Sequence, residues 1–412
     1  MRTSGIRRSR ARNLASAGLG MLLVGIASVP AHAESIRSQQ WHLDTLHAEE
    51  IWRISKGQGV TVAVIDSGVD KSNPDLAGQV LEGKDFATDR PGDQFTDYTG
   101  HGTGMAGLIA GTGARDGGNG AVGLAPGARI LPVRVTGLDA GRKSQQKGDE
   151  EFVRALPPAI RYAADSGAKV INMSVGADLG SQGLTDAVKY ALDKGALVFA
   201  ATGNDAEAGN APEYPAATPG VVGVGAIDKK LTRIPMSQYG PQVDLVAPGK
   251  DTVHACGGGT GLCKSTGTSD ATALASASAA LIWAKHPDWT NNQVLKVMLN
   301  TLAAPNDGGG RNDYLGYGAI RPLRALKTPG DPGPAGVRPI PDLPAEQTAS
   351  PSASVTPTAP ASPASTPAPA PGSAAQEDGG NSNTGLWIGL GLAAALLVGA
   401  AVAVPVLRSR RG

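Results

Sequence analysis

Ser269, His101, Asp66 and Asn204 have residue types and settings suited to acyl-transfer chemistry. Ser269 stands in Gly267-Thr268-Ser269 and leads directly into an Ala-rich stretch running to Trp283, which favours helix. A hydroxyl at a helix N-terminus lies among unpaired backbone N–H groups at the positive end of the dipole. Those N–H groups can hold the oxyanion that the hydroxyl's attack on a carbonyl creates. Alone, such a serine reads more simply as an N-cap. His101 sits in Gly100-His101-Gly102-Thr103-Gly104, before a run of small, packable residues. Asp66 closes an apolar, β-branched run, and Asn204 follows another in Thr202-Gly203-Asn204. Each taken singly is a turn residue. Together they supply an acyl-transfer set. Asp66 would orient and charge-stabilise His101, which would take the Ser269 proton and pass it to the leaving amine. The Asn204 amide and the Ser269 N–H would form the oxyanion hole. His254 is nearer Ser269 along the chain, but its Gly-rich surroundings offer no element to position it.

The elements that must carry these residues are legible from hydropathy. Val60–Ile65 is a near-continuous apolar run, the pattern of a strand buried on both faces of a parallel sheet. Similar runs recur at Ala128–Val135, Ala168–Val175, Ala196–Ala201 and Val221–Ala226. Helical stretches lie between or after them at Phe152–Ser166, Thr185–Lys194 and Asn291–Leu302. This alternation predicts an α/β fold: a doubly wound, mostly parallel sheet with helices on both faces. Function in such sheets sits at the carboxyl ends of the strands, where Asp66 and Asn204 fall. Gly137–Glu150 reads as an exposed polar loop.

The termini have a different character. Residues 1–33 combine Arg2, Arg7, Arg8, Arg10 and Arg12 with an apolar run to Val29 and Ala31-His32-Ala33, the layout of a cleavable export signal. The domain is expected over residues 34–328, and residues 329–384 turn to Pro, Ala, Ser and Thr, the composition of an extended linker. Leu386–Leu407, within an expected transmembrane helix at 385–407, is apolar and long enough to span a bilayer. Arg408, Arg410 and Arg411 in the tail 408–412 place the C-terminus in the cytoplasm and the domain outside. An exported location is oxidising, so Cys256 and Cys263, the chain's two cysteines, are expected to pair. The formal net charge of +1 comes without a basic block in the folded part, which excludes nucleic acid as a partner. No metal or cofactor is expected, and nothing indicates a structural calcium.

Residues 41–328 resemble the subtilisin-like serine peptidases. The motifs are Val64-Ile65-Asp66-Ser67-Gly68-Val69-Asp70, Gly100-His101-Gly102-Thr103, Gly203-Asn204 and Gly267-Thr268-Ser269, supported by Gly123-Leu124-Ala125-Pro126, Ile171-Asn172-Met173-Ser174, Ala247-Pro248-Gly249 and Gly316-Tyr317-Gly318. The resemblance implies an Asp66–His101–Ser269 endopeptidase acting on protein or peptide. It also implies that Ser174-Val175-Gly176 lines the cleft and pairs with the substrate backbone as an added strand. The whole layout resembles the mycosins, membrane-anchored subtilases of type VII secretion systems, which implies such a membrane complex as partner. Three positions depart from the family pattern. Ala273 replaces a usual proline, Asn73 a common histidine, and Asp270 a small or apolar residue. A carboxylate beside the nucleophile is expected either to repel the oxyanion, slowing generic substrates, or to meet a basic substrate residue. Asp270 and Ala273 also leave open an anchored scaffold whose peptidase activity is dispensable.

Overall fold

The computed structural model describes residues 35–87, 90–135, 145–258 and 261–343. Seven strands make one sheet: β1 (Thr61–Asp66), β2 (Lys84–Asp85), β3 (Arg129–Arg134), β4 (Val170–Met173), β5 (Leu197–Ala201), β6 (Val222–Ile227) and β7 (Leu245–Pro248). Their order is β2-β3-β1-β4-β5-β6-β7, and every pairing is parallel. The winding reverses at β1, which lies between β3 and β4, so a crevice opens at its carboxyl end. A separate antiparallel hairpin joins β8 (Thr252–Ala255) to β9 (Leu262–Ser265).

The helices are α1 (Ile36–Gln39), α2 (Trp41–Thr45), α3 (Ala48–Trp52), α4 (His101–Ala110), the single turn α5 (Arg115–Gly118), α6 (Gln145–Asp165), α7 (Gln182–Asp193), α8 (Thr268–Lys285), α9 (Asn291–Thr301) and α10 (Pro322–Lys327). Alternation along β1 divides them between two layers. Val62 and Val64 pack into a core shared with α4, α8, α9 and the N-terminal Leu43 and Ile51. Ala63 and Ile65 face the opposite core, filled by Phe152 and Leu156 of α6 and Leu184 and Val188 of α7. A strand sandwiched in this way needs apolar residues at every position.

Helix α8 runs against β4, β5, β6 and β7 and is buried from Ala271 to Trp283. Its small residues permit that close approach, and its hydroxyls are satisfied internally. Thr272 donates to the Thr268 carbonyl, Ser278 to the Leu274 carbonyl, and Ser276 to Asn172 Oδ1 at 3.0 Å. Ala273 is fully buried in this helix, where an alanine keeps the backbone N–H that proline lacks.

Two boundaries differ from the sequence expectation. Gln145–Glu150 is helical, the start of α6, because Gln, Lys and Glu favour helix and only Gly148 opposes it. The rest of the expected loop lies outside the described residues. The folded domain also continues past residue 328. Ile340 enters the core, Gln293 donates to the Gly333 carbonyl at 3.0 Å, Thr290 to the Ala335 carbonyl at 2.9 Å, and the Gly220 N–H to Asp342 at 2.9 Å. Proline and glycine composition hid this strap, which is held mainly through its backbone. The expected signal (1–33), the remainder of the linker, the transmembrane helix (385–407) and the tail (408–412) lie outside the described residues. Among those described, no helix is long and apolar enough to cross a membrane.

Candidate active site

Asp66 is the last residue of β1 and is completely buried. Its Oδ1 accepts from the Ser67 N–H at 2.7 Å and lies 2.8 Å from His101 Nδ1. With the carboxylate on Nδ1, Nε2 is the imidazole nitrogen that Asp66 leaves unengaged. His101 opens α4, and Gly100 before it has φ 76°, a left-handed turn that suits glycine.

Asp97, absent from the motif reading, holds that turn. Its Oδ1 accepts from the Gly100 N–H at 2.9 Å and its Oδ2 from the Thr103 N–H at 2.8 Å and Thr103 Oγ1 at 2.6 Å. Ser67 Oγ donates to Asp97 Oδ1 at 2.8 Å and accepts from the Gly102 N–H at 3.0 Å. The start of α4 is thereby locked to the end of β1. An acidic residue just upstream of a helix start is the signal that could have found Asp97.

Ser269 lies in the first turn of α8. Its hydroxyl donates to the Ser174 carbonyl at 2.8 Å, and Ser174 Oγ donates to the Ser269 carbonyl at 2.9 Å. This reciprocal pair ties the start of α8 to the end of β4. The Asn204 Oδ1 accepts from the Thr268 N–H at 2.9 Å, so the Asn204 Nδ2 is the group left to donate into the cleft. Ser174 and Val175 are buried, whereas Gly176 is exposed. Asp66, Ser174 and Asn204 thus stand at the carboxyl ends of the interior strands β1, β4 and β5, with His101 bonded to Asp66 and Ser269 to Ser174.

His101 carries the electrostatics of the site. Loss of hydration disfavours its cation, but the charge and hydrogen bond of Asp66, helped by Asp270 and Asp97, outweigh that and raise its pKa to about 9.

Asp270 is buried against the β8–β9 hairpin. Successive helical residues turn by about 100°, and here that turn carries the carboxylate into the β8–β9 hairpin. Thr252 Oγ1 and Ser265 Oγ both donate to Asp270 Oδ1, and His254 Nε2 lies 3.7 Å away. This burial corrects the expectation of a basic substrate contact at Asp270, while its charge still reaches the site, where it helps raise the His101 pKa. His254 is likewise well positioned. It is buried on β8, with Nδ1 2.8 Å from the Ala255 carbonyl and Nε2 2.7 Å from Ser265 Oγ. It sits behind the α4–α8 pair as a structural partner of Asp270. A Cβ on Gly104 would come within 2.7 Å of the His254 ring, so the small residues after His101 make room for it.

The cysteine expectation holds: a Cys256–Cys263 disulfide closes the hairpin. Asn73, the second departure, serves this loop. Its Nδ2 donates to the Cys256 carbonyl at 2.8 Å and the Gly261 carbonyl at 3.1 Å, while its Oδ1 caps the Asp75 N–H at 2.9 Å.

Residues 57–318 match the model of the Subtilase family, Peptidase S8. The chain is a subtilase. Thermitase of Thermoactinomyces vulgaris is 40% identical over 213 residues, which span 52% of this chain and 71% of thermitase. Subtilisin E of Bacillus subtilis is 36% identical over 266 residues, 64% of this chain and 65% of that protein. Among solved structures, MycP1 from Mycobacterium smegmatis superposes with a TM-score of 0.61 at 30% identity, covering 72% of this chain and 86% of MycP1. MycP3 from the type VII (ESX-3) secretion system gives 0.59 at 32% identity, covering 70% and 88%. This subtilase is a serine endopeptidase with the fold shared by the mycosins and the subtilisins.

Proposed function

We propose that this subtilase is a membrane-anchored, extracellular endopeptidase that processes an exported protein of a type VII secretion system, using Asp66, His101 and Ser269 as its triad. The observation that carries the catalytic reading is the 2.8 Å bond between Asp66 and His101 Nδ1, beside a serine held at a helix N-terminus. An extended substrate would lie along Ser174-Val175-Gly176 as an added strand. His101 Nε2 would remove the Ser269 proton as Oγ attacks the scissile carbonyl carbon. The resulting oxyanion would be held by Asn204 Nδ2 and the Ser269 N–H, whose position in the first turn of α8 leaves it without an intrahelical acceptor. Imidazolium would then protonate the departing amine. Water, activated by the same histidine, would release the acid from the acyl-enzyme. The burial of Asp270 against the β8–β9 hairpin supports the enzyme over the alternative of an anchored scaffold with dispensable peptidase activity.

The secretion reading is supported by the likeness to MycP1, described as an essential component of the type VII (ESX-1) secretion system. The apolar segment Leu386–Leu407 and its basic tail support the anchor. Peptide hydrolysis by Ser269→Ala or His101→Ala should fall by about 10⁴-fold or more, and by Asn204→Ala about 10²- to 10³-fold. Undiminished hydrolysis by Ser269→Ala would rule out the triad. Recovery of the full chain in the soluble rather than the membrane fraction would rule out the anchor.

A further inference from the structure

Glu213 is a half-buried carboxylate that the triad and oxyanion hole leave unused. The segment carrying it runs antiparallel to the end of the cleft wall: the Ala177 N–H donates to the Tyr214 carbonyl at 2.9 Å, and the Tyr214 N–H to the Ala177 carbonyl at 2.8 Å. This pairing sets Glu213 beside Gly176. On its other side is Gly203, the residue before Asn204. A Cβ on Gly176 would come within 2.3 Å of Glu213 Oε2, and one on Gly203 within 2.3 Å of Glu213 Oε1. Each carboxylate oxygen therefore rests against a glycine, one from the wall after β4 and one from the wall after β5. Gly203 also has φ 106°, a conformation that favours glycine.

The partners of Glu213 among the described residues are neutral donors: the Gln238 amide at 2.8 Å and the Asn204 backbone N–H. Its charged neighbours among the described residues have its own sign. Asp178 follows β4, Asp205 follows β5, and Asp149 comes from α6. Burial first, then these acids, push its carboxyl up to about 7. A carboxylate at the end of a cleft, flanked by glycines and acids, is incompletely compensated until a cation reaches it.

We propose that Glu213 is the specificity residue of this peptidase, receiving the lysine or arginine side chain that precedes the scissile bond. This rests on the peptidase reading above, since the pocket is defined by its adjacency to Asn204 and Gly176. The long aliphatic stem of the substrate residue would pass between the Ser174–Gly176 and Thr202–Asn204 walls, and its cation would meet the carboxylate. Binding the cation favours ionised Glu213, so preference for a basic residue should strengthen as pH rises through 7. Titration of His101 affects every substrate alike and cancels from the ratio.

The test uses the full chain and two tripeptidyl fluorogenic amides that differ only in their last residue, lysine or its uncharged isostere norleucine. At pH 8, kcat/KM should favour lysine by about ten- to a hundredfold, as expected for a hydrogen-bonded charge pair. The ratio should shrink at pH 6, fall near one in Glu213→Gln, and recover in Glu213→Asp. Equal rates for the two substrates, or a lysine preference that survives Glu213→Gln, would overturn the proposal. Calorimetric binding of the corresponding tripeptide amides to the Ser269→Ala chain reads the pocket without turnover. Lysine should bind tighter than norleucine at pH 8, and equal affinities would count against Glu213. Lysine-selective binding in a chain whose wild type hydrolyses nothing would sink the peptidase reading and leave the pocket standing.

Discussion

At the scale of single residues, buried acids and imidazoles set how this subtilase responds to pH. Asp270 raises the pKa of His101 and accepts from two buried hydroxyls. Asp270→Asn should therefore move the acid limb of kcat/KM downward, and should cost about 1–3 kcal/mol of stability by weakening acceptance from Thr252 and Ser265. A faster enzyme with an unmoved pH profile would show that the carboxylate acts on the oxyanion after all. His42 works in the opposite sense to His101. Burial, with His254 and Arg37 nearby, lowers its pKa to about 3. The unfolded chain protonates this residue near 6.5 while the folded chain does not, so stability falls as pH drops from 6.5 towards 3. The raised pKa of His101 stabilises the fold fully below 6.5, and that contribution is lost as pH rises through about 9. Urea midpoints at pH 7 and pH 4.5 should fall further for the wild type than for His42→Phe. Identical falls would exclude His42 as a source of the acid sensitivity. The residue types of the proposed triad were legible in the chain because each sits at the end of a clear element. The environments of Asp270 and Glu213 were not. A residue's side of a helix or loop is set by its rotation and by partners from other elements, as with Thr252 of β8 and Asp270 of α8.

Among the elements, the β8–β9 hairpin buttresses the nucleophile's helix from behind. Its strand residues Thr252 and Ser265 grip Asp270, and its tip is tied by the disulfide and by Asn73. Loss of the disulfide should destabilise by about 2–3 kcal/mol in the chain-entropy model. Cys256→Ser and Cys263→Ser should cost the same, and the double variant little more, when melting is followed by calorimetry. Additive losses would mean that the thiols are not paired. Strands with continuous apolar runs were readable because burial on both faces requires them. His254 escaped such a reading because β8 is short, interrupted by polar residues and followed by glycines. Its strand character comes from pairing with β9 rather than from local hydropathy.

For the molecule as a whole, both ends of the described chain close the core around α8 and α9. Gln40 donates to the carbonyls of Val122 and Val253, and Trp41 to that of Lys250, so residues before β1 hold the hairpin as well. At the other end, the strap through Leu343 places Ile340 in the core. A chain truncated after residue 343 should melt like the full domain. One ending after Thr328 should lose about 1.5–3 kcal/mol from Ile340 alone, besides its strap hydrogen bonds. Equal melting temperatures would place the boundary back at residue 328. Composition concealed the strap because proline and glycine suit both an extended linker and a segment bonded chiefly through its backbone.

The most direct test of the active site is labelling of the purified full chain with a fluorophosphonate, followed by peptide mapping. The wild type should carry the label on Ser269, at a rate that rises with pH through a midpoint above the ordinary histidine value near 6.5. His101→Ala should label far more slowly and Ser269→Ala not at all. Label mapped to another residue, or a folded wild type that takes up none, would contradict Ser269 as the nucleophile.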